Sequence, residues 1–110
     1  MDEVRMAREA ETIRRAFPAV SAIADAFEAG ILDHISVPCS GVEFDILERL
    51  RVLLNLEAET VSTTSKLLEM SWAEVVCTRA GRAAINRAII VAANGHSTLP
   101  DDGLQLWPKP

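Results

Sequence analysis

A chain of 110 residues is long enough for one compact domain and too short for two ordinary ones. Hydrophobic residues at 49% and charged residues at 25% exclude a disordered composition, and aromatics at only 5%, with no Tyr, favour close-packed helices over a sheet. The 11 basic and 16 acidic residues leave a net charge of -5, which excludes a broad nucleic-acid-binding surface and permits only a local basic patch.

The N-terminal region carries Asp2, Glu3, Glu9 and Glu11 and no unbroken apolar stretch of the signal-peptide kind. The longest apolar run, 88–93, is far short of a membrane span. No lipidation motif stands at either end. Two cysteines, Cys39 and Cys77, are too few for a disulfide framework. The expectation is therefore a cytoplasmic protein, not in a membrane, with both cysteines as thiols filling small apolar spaces.

Met6, Ala10, Ile13, Phe17, Val20, Ala24, Phe27 and Ile31 recur at alternating steps of four and three, a helical seam. Arg5 with Glu9 and Glu11 with Arg15 are spaced as pairs on an exposed helical face. Pro18 removes a backbone donor and crowds the carbonyl of Arg14, so the segment reads as two helices, or one kinked helix, over 2–17 and 18–29. Gly30 stands where a left-handed residue ends a helix, with Ile31 placed to fold back onto the last turn. A seam this regular also suits a helix pair, so a homodimer is one expectation. Burial of each half within its own domain is the other, and it is preferred because a short domain needs its apolar faces internally.

Pro38 pushes Val37 towards an extended conformation. Ser40 to Glu43 reads as a capping box opening a helix with Phe44, Leu47, Leu50 (or Arg51) and Leu54 at helical spacing, and Asn55 reads as its stop. A short helix over 63–69 would present Leu67, Leu68 and Met70. Ser71-Trp72-Ala73-Glu74 is a second capping box, predicting a long helix over 72–93 that ends at Asn94-Gly95. Gly81 within it costs about 1 kcal/mol of helix propensity against Ala, and marks either a close neighbouring backbone or a break. The polar row Glu74, Thr78, Arg82 and Asn86 gives way to Ile89 and Ala92. This helix should therefore start half exposed and end enclosed by protein. Residues 97–110 read as an irregular tail, in which Leu104, Leu106 and Trp107 are apolar enough to dock on the domain or on a partner.

The predicted fold is all-α, a single helical domain over 1–110 with four to six helices and 72–93 as the long central helix. Its core should draw on Phe17, Phe27, Phe44, Leu47, Leu54, Leu67, Leu68, Val76, Ile85 and Ile90.

No catalytic, cofactor or metal constellation emerges. Asp33, His34, Cys39 and His96 match no zinc spacing, and neither cysteine has an evident base. Gly-rich phosphate loops, nucleophile elbows and paired-histidine helices are absent from the sequence. The acidic residues scatter over helical faces, as on a solvated surface. The expectation is a protein that is not an enzyme and carries no cofactor.

Residues 64–76 contain Ser65, Leu68, Met70, Ser71 and Val75 at the spacing of a small residue, a leucine, a turn and the start of a second helix. The stretch resembles the core of a bacterial helix-turn-helix. Glu69 stands where that family has its turn glycine. The resemblance implies a DNA-binding regulator with helices at about 63–69 and 72–82, and Trp72 and the residues after it facing the major groove. Lys66, Arg79, Arg82 and Asn86 would be its DNA-contacting residues.

The charge distribution points elsewhere. From Glu43 to Glu59, five carboxylates face two arginines, and acidic helical surfaces steer towards basic partners. The preferred expectation is a small non-catalytic regulator or inhibitor that binds another protein, with Glu43, Glu48, Glu57, Glu59 and Trp107 as partner-binding residues.

Overall fold

The computed structural model describes residues 2–39 and 41–95. Five α-helices and one 3₁₀ turn occupy them, and these residues contain no strand. Helix α1, Glu3–Ala16, is capped by Asp2, whose carboxylate accepts from the Arg5 N–H at 2.8 Å. Helix α2, Pro18–Glu28, begins on the proline itself. At that position the missing N–H has no helical partner to lose, so Pro18 separates two helices rather than kinking one. Gly30 ends α2 at φ +75. Its N–H reaches Phe27 O and the Ile31 N–H reaches Ala26 O, the paired return bonds of a left-handed helix end. A 3₁₀ turn at Leu32–His34 follows, and then an extended segment leads to α3, Val42–Leu68.

Helix α3 is the longest element. It runs through Asn55, the predicted stop, and absorbs the separate helix expected at 63–69. Asn is only a mild helix breaker, and continuing the helix buries Val61 in line with Leu47, Leu50 and Leu54. The expected cap at Ser40 lies outside the described residues. The N-cap is Gly41, at φ +61 and with no side-chain hydrogen bond to the helix. At the far end Glu69 adopts the left-handed conformation, φ 54 and ψ 44, and Met70 N–H returns to Ser65 O at 3.0 Å. The Ser65 hydroxyl also donates to Met70 O.

The helix expected over 72–93 is two helices, α4 Trp72–Val76 and α5 Arg79–Asn94. The Ser71 capping box opens α4 as the sequence predicts, with both reciprocal bonds in place. The break comes from Thr78, which caps α5 by accepting from Gly81 N–H at 3.0 Å. Gly81 answers to both expectations at once. It lies beside the break, and a Cβ there would sit 2.5 Å from Val75 O and 2.6 Å from Val76 O, so the end of α4 passes against it.

Helices α1, α5, α3 and α2 pack in that cyclic order, with α4 bridging α2, α3 and α5. The core is aliphatic around one aromatic. Phe27, Ile23, Val20, Ile46, Leu50, Leu54, Val76 and Ile89 are almost wholly buried, and each contributes roughly 1.5–3 kcal/mol. Small residues let α1 and α5 approach: Ala10 is buried on one, Ala88 and Ala92 on the other. The early seam is used within the chain. Val20, Ala24 and Phe27 are core, while Met6, Ile13 and Phe17 pack partly buried against it.

Of the expected core, Phe27, Leu47, Leu54, Val76, Ile85 and Ile90 are buried and Phe17 is half-buried. Phe44, Leu67 and Leu68 are not core: they are 52%, 77% and 62% exposed. Direction decides two of them. Leu67, eleven residues past Leu56, and Phe44, one turn before Glu48, fall on the side of α3 away from its buried row. Only Leu68 falls on the core side, at the end of the helix. Twenty-seven residues of α3 extend about 40 Å, whereas the 11 of α2 cover about 16 Å and the 16 of α5 about 24 Å. Leu68, the last residue of α3, is left uncovered. Helix α5 behaves as predicted, with Arg79 and Arg82 exposed at its start and Ile89 and Ala92 fully enclosed near its end. The tail over 97–110 lies outside the described residues.

Candidate interaction face

The buried row of α3 is Leu47, Leu50, Leu54 and Val61, spaced three, four and seven residues apart. A helix with that row inward turns Asp45, Glu48, Val52, Leu56 and Glu59 to the opposite side, and all five are exposed. Val52 and Leu56, one turn apart, are 61% and 52% exposed. This is an apolar pair bracketed by carboxylates.

None of these three carboxylates forms an ion pair among the described residues. The ion pairs link other elements: Arg14 to Asp25 (2.6 Å) and Glu28 (3.7 Å), Arg82 to Glu28 (3.3 Å), Arg79 to Glu3 (2.8 Å), and Glu11 to Arg15 within α1 (3.1 Å). The Arg5–Glu9 pair suggested by spacing does not form, and exposed pairs of this kind gain little. The arginines of α3 are turned aside. Arg51 donates to Leu32 O and Ile35 O at 3.3 and 3.0 Å, fastening the segment after α2. Arg49 Nε donates to Ala92 O at 2.9 Å, at the C-terminal end of α5 where carbonyls lack helical partners. The outward side of α3 from Asp45 to Glu59 is left apolar and negative.

Beside Val52 a largely apolar cavity of about 380 Å³ opens between α3 and the end of α5, lined by Glu48, Arg49, Val52, Leu53, Val91 and Gly95. Arg49 Nη2 is buried there without a hydrogen-bond partner among the described residues. An orphaned donor of this kind typically costs about 1–3 kcal/mol.

The structure divides the partner-binding residues expected from sequence. Glu48 and Glu59 share the outward face. Glu43 and Glu57 are half-buried and fall on the core-facing side, Glu43 one turn before Leu47 and Glu57 between Leu54 and Val61. Trp107 lies outside the described residues. Asp45, Val52 and Leu56 also belong to the face, and the sequence alone does not mark them. A helix stopped at Asn55 leaves Leu56 off the helix, so the Val52–Leu56 spacing is invisible.

No family model, no curated protein and no solved structure matches the chain.

The DNA-contacting residues implied by the helix-turn-helix resemblance are dispersed. Lys66 is exposed near the end of α3, and Asn86 is half-buried. Arg79 is held by both Glu3 oxygens, at 2.8 and 2.9 Å, and its pKa is raised by that hydrogen bond first and by the Glu3 charge second. Arg82 faces Glu28. The second helix, expected over 72–82, is the five-residue α4. Its Trp72 is turned into the fold, where the indole N–H donates to Phe27 O at 2.8 Å. Glu69 does take the left-handed conformation that the family gives to glycine. Among the described residues no three His, Cys, Asp or Glu side chains gather as a metal site would require. Cys39 and Cys77 are free thiols; Cys39 is half-buried against the core, whereas Cys77 is exposed and does not fill the apolar space expected of it.

Proposed function

We propose that this protein is a non-catalytic regulator or inhibitor that acts by binding another protein through the acidic outward face of α3. One observation carries the reading: Asp45, Glu48 and Glu59 make no ion pair among the described residues and surround the exposed pair Val52 and Leu56. Exposed apolar side chains rimmed by charge are a common form of interaction surface. Carboxylates left without internal partners keep their field for an incoming molecule, and favour a basic one. The reading keeps the cytoplasm as the protein's compartment, because two cysteines are too few for the disulfide framework of a secreted domain.

The helix-turn-helix alternative has the left-handed Glu69 turn in its favour. It is the weaker reading, because its two best phosphate-contacting residues, Arg79 and Arg82, face Glu3 and Glu28. Carboxylates beside these arginines would repel an approaching phosphate backbone.

The deciding experiment is capture of partners from native cells by wild type, by Glu48→Lys with Glu59→Lys, and by Arg79→Glu with Arg82→Glu, each with and without nuclease. Protein partners that survive nuclease and vanish with the α3 charge reversal are expected. Partners lost on nuclease treatment or with the arginine reversal would replace this reading with DNA binding.

A further inference from the structure

We infer that the groove between α3 and the end of α5 receives the apolar side of a basic amphipathic helix from the partner protein. The inference rests on the function proposed above and names the chemistry of the partner. Val52 and Leu56 supply an exposed apolar strip, and the cavity between Val52, Leu53 and Val91 offers a depression beside it for an aliphatic anchor. A helix laid in a groove presents anchors at this same one-turn spacing. From Asp45 to Glu59 the face is about 21 Å long, which suits a segment of about 14 helical residues.

Charge selects the occupant. Asp45, Glu48 and Glu59 flank the strip without ion-pair partners among the described residues. The cation that lines the cavity, Arg49, is turned to Ala92 O with its Nη2 buried, so lysines or arginines beside the anchors complete the face. A second copy of this chain would set carboxylate against carboxylate across the same strip. Nucleic acid and anionic lipid would meet the same repulsion.

The test uses the full chain and a synthetic helix-forming peptide of about 18 residues, with leucines on one stripe and lysines flanking it. Its control carries serine for each leucine at unchanged charge. Calorimetry should give binding at least about tenfold tighter for the leucine peptide, the scale expected from burying one or two aliphatic side chains. Methyl NMR shifts should fall on Val52, Leu53, Leu56 and Val91. Val52→Ser with Leu56→Ser, both exposed and therefore safe for folding, should abolish the difference between the peptides. Equal binding of the two peptides, lost on Glu48→Lys with Glu59→Lys, would overturn the groove while leaving the acidic face intact. Binding of neither would count against both. Methyl shifts that move with protein concentration, without peptide, would assign the groove to a second copy. Binding that appears only in Leu104→Ser with Leu106→Ser and Trp107→Ser would assign it to the chain's own last residues. Either result removes the proposed occupant.

Discussion

Trp72 donates its indole N–H to the backbone carbonyl of Phe27 at 2.8 Å while the two rings meet edge to face, with centroids 5.4 Å apart. Two contacts between residues 45 positions apart fix the start of α4 on the end of α2. The indole also lies 3.6 Å from where a Gly30 Cβ would be, so the glycine that ends α2 borders the same ring. Trp72→Phe should keep the ring contact and lose the hydrogen bond. Phe27 O still accepts from Gly30 N–H, so the loss should be limited to about 1 kcal/mol. Urea denaturation measures it, and an unchanged midpoint would mean that the indole bond adds nothing.

Gly81→Ala sets helix propensity against space. Propensity alone favours alanine by about 1 kcal/mol. The new Cβ, however, meets two backbone oxygens at 2.5 and 2.6 Å, and backbone cannot swing away as a flexible side chain can. A net loss of about 1–3 kcal/mol is expected. A stabilised Gly81→Ala protein would show that α4 and α5 separate more readily than this packing allows.

Thr78 accepts from Gly81 N–H, and its hydroxyl also donates to Val75 O at 2.7 Å, joining both sides of the break. Thr78→Ala should therefore destabilise by about 1–2 kcal/mol, the upper part of the range for a cap. Thr78→Ser should recover most of it. Thermal melts of the two variants decide the point, and equal melting would assign the effect to the lost methyl group.

Glu69 is the one described non-glycine residue with positive φ. The left-handed region costs an ordinary residue about 1–2 kcal/mol, and glycine returns about 0.4–1 kcal/mol of that as extra unfolded-state entropy. Glu69→Gly should therefore stabilise by roughly 0.5–1 kcal/mol, read as a rise in the denaturation midpoint. A fall would mean that the Glu69 side chain contributes something its exposure does not suggest.

Glu48→Lys with Glu59→Lys should leave stability within about 0.5 kcal/mol, because both side chains are exposed and without ion-pair partners among the described residues. The same pair should decide partner binding. A double variant that fails to fold would place these carboxylates in the structure of the domain rather than on its interaction face.

Sequence alone determined the features that depend on a few neighbouring residues. Pro18 interrupts the first helical stretch, Gly30 ends α2, and the Ser71–Glu74 box opens α4, because each acts through its own φ or through bonds spanning a few residues. Only the structure, however, shows two helices rather than one kinked helix at Pro18. The all-helical class followed from alanine-rich, aromatic-poor composition and apolar residues at helical spacing. Tertiary structure decided the rest. Helix α3 passes Asn55 because burying Val61 outweighs a weak local stop, and the 72–93 stretch divides because Thr78 and Gly81 fit against the end of α4. Phe44, Leu67 and Leu68 have core chemistry but stay exposed, the first two because they lie on the side of α3 away from its buried row and Leu68 because it ends the helix. The same holds for the interaction face. Glu43 and Glu48 look alike in sequence, and only the direction in which the buried row of α3 points turns one inward and the other to solvent. Local signals mark where helices can begin and end, and packing decides which of those signals are used. Which side of a helix is covered depends on residues tens of positions away, and their effect is felt only once the chain has closed around them.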